Sequence, residues 1–182
     1  MDLAMDDQVV LIDEHDQPIG SAPRATVHGT DTPRHLAFSC YLFDADGRVL
    51  LTRRALTKVA WPGVWTNSCC GHPRPGEAPE DAVKRRFADE LGAEISDVRL
   101  VLPEFGYRAV DASGVMENEF CPVWVARLAG PLRADPNEVS EITWIAWPDL
   151  VALVDSAPAL LSPWCVEQVP QLSESDVKVG AA

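Results

Sequence analysis

The sequence predicts an α+β fold in a single domain, with mixed or antiparallel β-sheets flanked by helices. Three observations predict it. Short apolar runs are cut by turn sequences, one segment alone carries strong helical periodicity, and neither a repeat nor a linker interrupts the chain. The domain is expected to span residues 1–182, with about 1–8 and 171–182 as poorly ordered tails.

Taken in order, residues 9–13 are apolar and end at the polar turn DEHDQ, which predicts an edge strand. Pro23 suits the start of a short helix over 24–27. Residues 35–44 are mostly apolar, DADG supplies a turn, and RVLLTRR completes a hairpin; AWPG, at 60–63, reads as loop. The main helix is Pro79–Leu91. Proline suits its first position, Glu80 and Asp81 suit its positive end, and Gly92 suits its stop. Val83, Phe87 and Leu91 make one apolar stripe, while Arg86 and Glu90 share a different face. Residues 98–102, 105–110, 115–127 and 141–147 read as strands, with DASG as a turn between the second and third. Helices are expected over 148–155 and around 163–169, and SESDVKVGAA as a frayed end.

The composition of 182 residues, 47% hydrophobic and 24% charged, is that of an ordinary soluble protein. No apolar run approaches the ~20 residues of a membrane span. The acidic start MDLAMDDQ lacks the features of a signal peptide, so a cytoplasmic protein is expected. Five cysteines without a CxxC pair argue against a disulfide framework; Cys40, Cys121 and Cys165 read as small buried hydrophobes. The net charge of −13 argues against nucleic acid as a partner. Yet 12 of the 15 Lys and Arg residues lie at or before Arg108. They include the groups Arg53, Arg54, Lys58 and Lys84, Arg85, Arg86, which suit a small anion.

Among the four histidines, His28, His35 and His72 gain interest from Glu117 and Glu119. These carboxylates stand at i and i+2 in MENEF, so within a strand they leave on one face, where they repel unless a cation or proton intervenes. Three imidazoles and two carboxylates would suit Mn²⁺, Mg²⁺ or Zn²⁺. The spacing alone does not bring the five together.

From Gly71 the chain reads G-x5-E-x7-R-R-F-A-D-E-L-G, ending at Gly92. This frame resembles the Nudix box, a loop and helix that hold divalent metal against a diphosphate, with Arg86 where a metal-binding carboxylate is usual. The segments HGTDTPRHLAFS, TRRALTKVAWPGVWTNSCCGHPRPGE, RRFADELG, FGYRA, ENEFCPV and SPW occur in the order seen in type 1 isopentenyl diphosphate isomerases. The resemblance to this Nudix-superfamily family runs from about residue 9 to 168.

The resemblance implies that His28, His35, His72, Glu117 and Glu119 bind one divalent metal. It implies that Glu90, with the backbone carbonyl of Cys70, helps hold a Mg²⁺ arriving with the substrate. Arg24, Arg54, Lys58 and Arg86 match positions that meet the diphosphate, and Arg86 turns a cutting motif into a gripping one. Cys70 and Glu119 are the implied acid–base pair, with Tyr107 relaying to Glu119 and the Trp164 face stabilising a carbocation-like species. The expected direction is Glu119, with Tyr107, as first donor and Cys70 as a thiolate base. Cys69 is expected to pack, and Trp61 and Trp65 are candidates for the cavity wall. The implied reaction interconverts isopentenyl and dimethylallyl diphosphate in isoprenoid biosynthesis, in a protein expected to be monomeric. The alternative, a Nudix hydrolase of a nucleoside diphosphate derivative, leaves Arg86, Cys70 and the Glu117/Glu119 pair without purpose.

Overall fold

The computed structural model describes residues 7–178. Two sheets split the chain between them. The first runs in the order β2 (Pro18–Pro23), β1 (Gln8–Ile12), β3 (His35–Leu36), β10 (Met116–Phe120), β9 (Gly106–Val110). The second runs β12 (Val139–Ala146), β5 (Arg48–Arg54), β4 (Phe38–Phe43), β11 (Val123–Leu128), β8 (Ile95–Leu102), with β6 (Trp65–Thr66) and β7 (Cys69–Gly71) attached to β5 and β4. The expected edge strand at 9–13 is therefore internal. PIGSAP, which carries little strand propensity, takes the edge, where a proline costs no ladder bond.

Two expected strands each prove to be a pair. The apolar run at 35–44 passes from the first sheet to the second at Ala37, and the run at 115–127 does the same at Cys121 and Pro122. Pro122 has no N–H to donate, which interrupts the ladder. The two switching strands run parallel through the change. Ala37 N–H donates to Phe120 O (2.8 Å), and Ser39 N–H to Pro122 O (3.1 Å). His35 and Glu119 are thereby set side by side, directly before the point where the sheets part.

The β4–β5 hairpin pairs only at Phe43 and Val49, then opens. Residues 65–71, unassigned in the sequence reading, wedge between its strands: β6 pairs with β5, and β7 with β4. Side chains in TNS replace the missing ladder. Ser68 Oγ donates to Leu50 O (2.6 Å) and accepts from Leu42 N–H (2.7 Å), and Thr52 Oγ1 donates to Asn67 O (3.0 Å).

Every residue of β4 is buried, because helices cover both faces of its sheet. On one side lies α2 (Pro79–Leu91), whose Val83, Phe87 and Leu91 pack with Phe38, Leu42 and Leu50. Gly92 ends it at φ 52°, donating to Ala88 O as Ala93 donates to Phe87 O. On the other side, α3 (Trp147–Ser156) and α4 (Pro163–Gln168) cover Tyr41, Phe43, Val49 and Leu51. A short α1 (Arg24–Val27) lies between the first two strands of its sheet and β3. The end expected to fray from 171 instead carries a 3₁₀ turn, Val169–Gln171, and α5 (Glu174–Val177). Ser173 and Asp176 form a reciprocal cap, and Val177 is buried in the core. The remaining tail residues, 1–6 and 179–182, lie outside the described residues. Among the described residues no helix is long and apolar enough to cross a membrane.

Candidate active site

A cavity of about 250 Å³ opens where the sheets part, and it divides into a cationic end and a buried end. The face of α2 flanking its apolar stripe supplies Arg86 and Glu90, paired with each other across one helical turn. Arg86 lies flat on β7 because Gly71 has no side chain: a Cβ there would stand 2.6 Å from Arg86 Cγ and 3.0 Å from the Phe38 ring. Lys58 comes from the β5–β6 loop and pairs with Glu138, whose other oxygen is 3.9 Å from Arg86. Arg24, on α1, pairs with Asp7 (2.8 Å). Arg54 is turned inward. Its Nε and Nη2 donate to Ala60 O (3.1 and 2.8 Å), and its Cζ lies 5.7 Å from the Trp164 ring centre. The four expected anion-binding side chains thus line one cavity. Glu138, which no sequence signal singled out, lies among them because Ala55 N–H on the Lys58 loop donates to its carbonyl (2.9 Å).

At the buried end, His28, His35, His72 and Glu119 bring ligand atoms within 4.8 Å of one another. Glu119 Oε1 is 3.0 Å from His72 Nε2, 3.4 Å from His35 Nε2 and 3.7 Å from His28 Nε2. His35 Nδ1 faces the Pro33 carbonyl at 2.8 Å, so it carries a proton, and Nε2 is the ring atom turned to Glu119. His35 Nε2 also stands 3.3 Å from His72 Nε2, and buried His28 Nε2 has no hydrogen-bond partner. Too few protons for so many acceptors is the pattern a cation fills, and the donor set fits a divalent metal.

Burial pushes His72 down to about 4, leaving the neutral ring a ligand must be. Burial also lowers His35, but its hydrogen bond to Glu119 and that carboxylate's charge outweigh it, so the net shift is upward. Glu119 is raised by burial and lowered more by the three imidazoles, ending well below its ordinary range. Glu117 shares its face, as the strand alternation requires, but lies outside the four-residue group and accepts the Tyr107 hydroxyl. Burial, then the Glu119 charge, raises it. Tyr107 stands directly across the ladder from Glu119 and approaches its Oε2 at 3.0 Å; its one proton is shared between two carboxylates.

Cys70 also lines the cavity. Its sulfur lies 3.3 Å from Ser39 Oγ and 3.2 Å from Asn67 Oδ1. Burial pushes the thiol up to about 12, although Ser39, Asn67 and Arg54 oppose the rise. Cys69 is buried in the core beneath α2, and all five cysteines are free. Trp164 borders the cavity, with Tyr107 5.5 Å from its ring centre and Trp61 edge-on at 5.6 Å behind it. Trp65 packs against the core and accepts at its carbonyl from Ser162 N–H (2.8 Å), fixing the start of α4.

The NUDIX domain family model matches residues 33–165. The fold is similar to that of a Deinococcus radiodurans protein, with a TM-score of 0.69 and 21% identity over 90% of this chain and 98% of that one. It is also similar to a MutT NUDIX hydrolase from Burkholderia pseudomallei, with a TM-score of 0.59 and 24% identity over 77% and 98%. These are likenesses of fold; the family model over residues 33–165 defines a NUDIX-domain protein. Sequence relatives narrow the class. The chain is 58% identical over 175 residues to the isopentenyl-diphosphate Delta-isomerase of Cutibacterium acnes, covering 92% of this chain and 88% of that one. It is 55% identical over 169 residues to that of Mycolicibacterium vanbaalenii, covering 93% of each. The chain belongs to the isopentenyl-diphosphate Delta-isomerase family of NUDIX proteins.

Proposed function

We propose that this protein interconverts isopentenyl and dimethylallyl diphosphate, acting in the cytoplasm as a monomer. The observation that supports this most is a single cavity lined by a thiol, a carboxylate and an indole together with four basic side chains, of which Arg54 lies beside the indole.

Arg24, Arg54, Lys58 and Arg86 bind the diphosphate. Three of them are already paired with Asp7, Glu138 and Glu90, so the incoming phosphates take over charges that are held in place beforehand. The hydrocarbon end lies toward Trp164. One proton is added to the terminal alkene carbon and another is removed two carbons away, so no bond to phosphorus breaks. Cys70 and Glu119 exchange these protons, each donating in one direction and accepting in the other. Tyr107 holds the Glu119 carboxylate in place. The face of Trp164 stabilises the positive charge that develops between the two transfers, by ~2 kcal/mol or more in a dry site. Aromatic walls exclude water that would trap the cation as an alcohol.

His28, His35, His72 and Glu119, with Glu117 alongside, would hold Mn²⁺, Mg²⁺ or Zn²⁺. Glu90 and the Cys70 carbonyl would hold a Mg²⁺ brought with the substrate. A cation bound at the histidines supplies positive charge that stabilises the ionised carboxylates.

The test is incubation of purified protein with isopentenyl diphosphate in deuterated water, with and without chelator. The expected result is formation of dimethylallyl diphosphate with deuterium incorporation. Cleavage of nucleoside diphosphate derivatives, with isopentenyl diphosphate inert, would instead establish the hydrolase alternative.

A further inference from the structure

The amide of Asn67 is fully buried, and every one of its hydrogen-bonding positions is used. Its nitrogen donates to the carbonyls of Cys40 (3.1 Å) and Cys69 (3.0 Å). Two carbonyls can only accept, so this end of the amide is the nitrogen and the other is the oxygen. Oδ1 then accepts from three donors: Thr66 Oγ1 at 2.8 Å, Trp164 Nε1 at 2.9 Å and Cys70 Sγ at 3.2 Å. The Thr66 donor is itself fixed, because Ser162 Oγ lies 2.8 Å behind it at the start of the helix that carries Trp164.

A side chain serving only to tie the wedge between β4 and β5 would need its two N–H bonds and one donor to its oxygen, which Thr66 supplies. The oxygen does more. It meets two cavity-lining groups that are far apart in the chain, Trp164 at 97 residues from Asn67 and Cys70 at 3. An indole N–H lies in the ring plane, so holding it sets how the ring presents its face. The same atom restrains the Cys70 sulfur, with Ser39 on the other side at 3.3 Å. We propose that Asn67 is a positioning residue for the isomerisation, one oxygen fixing the Cys70 sulfur relative to the Trp164 face. This inference rests on the isomerase reading and adds to it a residue that never touches the diphosphate.

The experiment compares wild type, Asn67→Leu and Asn67→Asp by kcat and KM for isopentenyl diphosphate, below the melting temperature of each. Leucine keeps the volume and removes the oxygen together with both N–H donors. Aspartate keeps an oxygen toward Cys70 and Trp164 but loses the two N–H bonds to Cys40 and Cys69. Positioning predicts that Asn67→Leu loses ~100-fold in kcat, with KM changed less than ~3-fold. Asn67→Asp melts lower than wild type yet keeps kcat within ~10-fold of it. A purely structural role predicts the reverse ranking, with activity following stability. Folded Asn67→Leu with kcat near wild type, a loss carried by KM, or folded Asn67→Asp as slow as ~100-fold below wild type would each overturn the proposal. If leucine prevents folding, the aspartate arm decides alone. An inert wild type would remove the isomerase reading itself, which separates that failure from a failure of Asn67.

Discussion

The two ends of the cavity are built on opposite principles. At the cationic end, Arg24, Lys58 and Arg86 reach in from a short helix, a loop and α2, and each is held by a carboxylate: Asp7, Glu138 or Glu90. Arg24 and Asp7 are partly exposed, so their pairing adds little stability and exchanges readily for another anion. At the reacting end, His35, Glu117, Glu119, Tyr107, Asn67 and Trp164 are buried and locked by short-range hydrogen bonds. Binding can tolerate adjustable ion pairs, because a diphosphate brings enough charge to reorganise them. Moving a proton between carbon and a side chain cannot, because misplacement of about 1 Å can cost ~100-fold in rate.

Mutations should therefore separate cleanly by the parameter they alter. Cys70→Ala and Glu119→Gln should have the largest effect, each lowering kcat by at least ~10³-fold and abolishing deuterium incorporation. Comparable turnover in Cys70→Ala would show that the sulfur is not one of the reacting groups. Next is His28→Ala, which removes one of four converging ligands. It should lower bound divalent metal per chain, read by elemental analysis, with an affinity loss of at least ~10-fold. Unchanged metal content would exclude His28 from the site. Arg86→Ala should act at the other end, raising KM for isopentenyl diphosphate by ~10- to 100-fold, the range of a charged hydrogen bond, with the smaller effect on kcat. A kcat loss with unchanged KM would blur the division between the ends.

The smallest effect concerns the loop that carries His72. Arg85 donates to both oxygens of Glu77 (2.7 and 2.8 Å) and to His72 O (3.1 Å). The hydrogen bonds from Arg85 hold the Glu77 carboxyl below its ordinary 4.5, against a smaller upward push from burial. The stabilisation is complete above that value and is lost as pH falls through the lowered pKa of the folded protein. The melting temperature of Glu77→Gln should thus lie below wild type at neutral pH, and the gap should close as the solution is acidified below the ordinary 4.5 and through the lowered value. A gap that widens on acidification would contradict the sign.

How much of this was legible beforehand depends on how local the determining physics is. Pro79–Leu91 could be read to the residue, because proline, first-turn acids, an apolar stripe and a left-handed glycine are all local signals. The side-by-side placement of Glu117 and Glu119 followed from strand alternation. The sheet switches at Ala37 and at Cys121–Pro122 could not be read, since apolar runs look continuous whichever sheet receives them. The wedge at 65–71 escaped notice because its hydrogen bonds go to strands 18 and 26 residues earlier, in place of pairs within a hairpin that looks self-sufficient. The upward push on the Cys70 thiol comes from burial by several elements at once, and the residue's immediate neighbours, a cysteine and a glycine, do not report it. Glu138 lacked any signal because its partner Lys58 lies 80 residues earlier.

The wedge between β4 and β5 also bears on how the molecule comes together. Its amide group closes one connection spanning 27 residues and another spanning 97. The longer closure is made only where α4 has docked on the second sheet, so the Asn67 contact to Trp164 waits on a segment distant in sequence. A partly folded chain can thus hold a formed α2 and its arginine while still lacking any means of moving a proton.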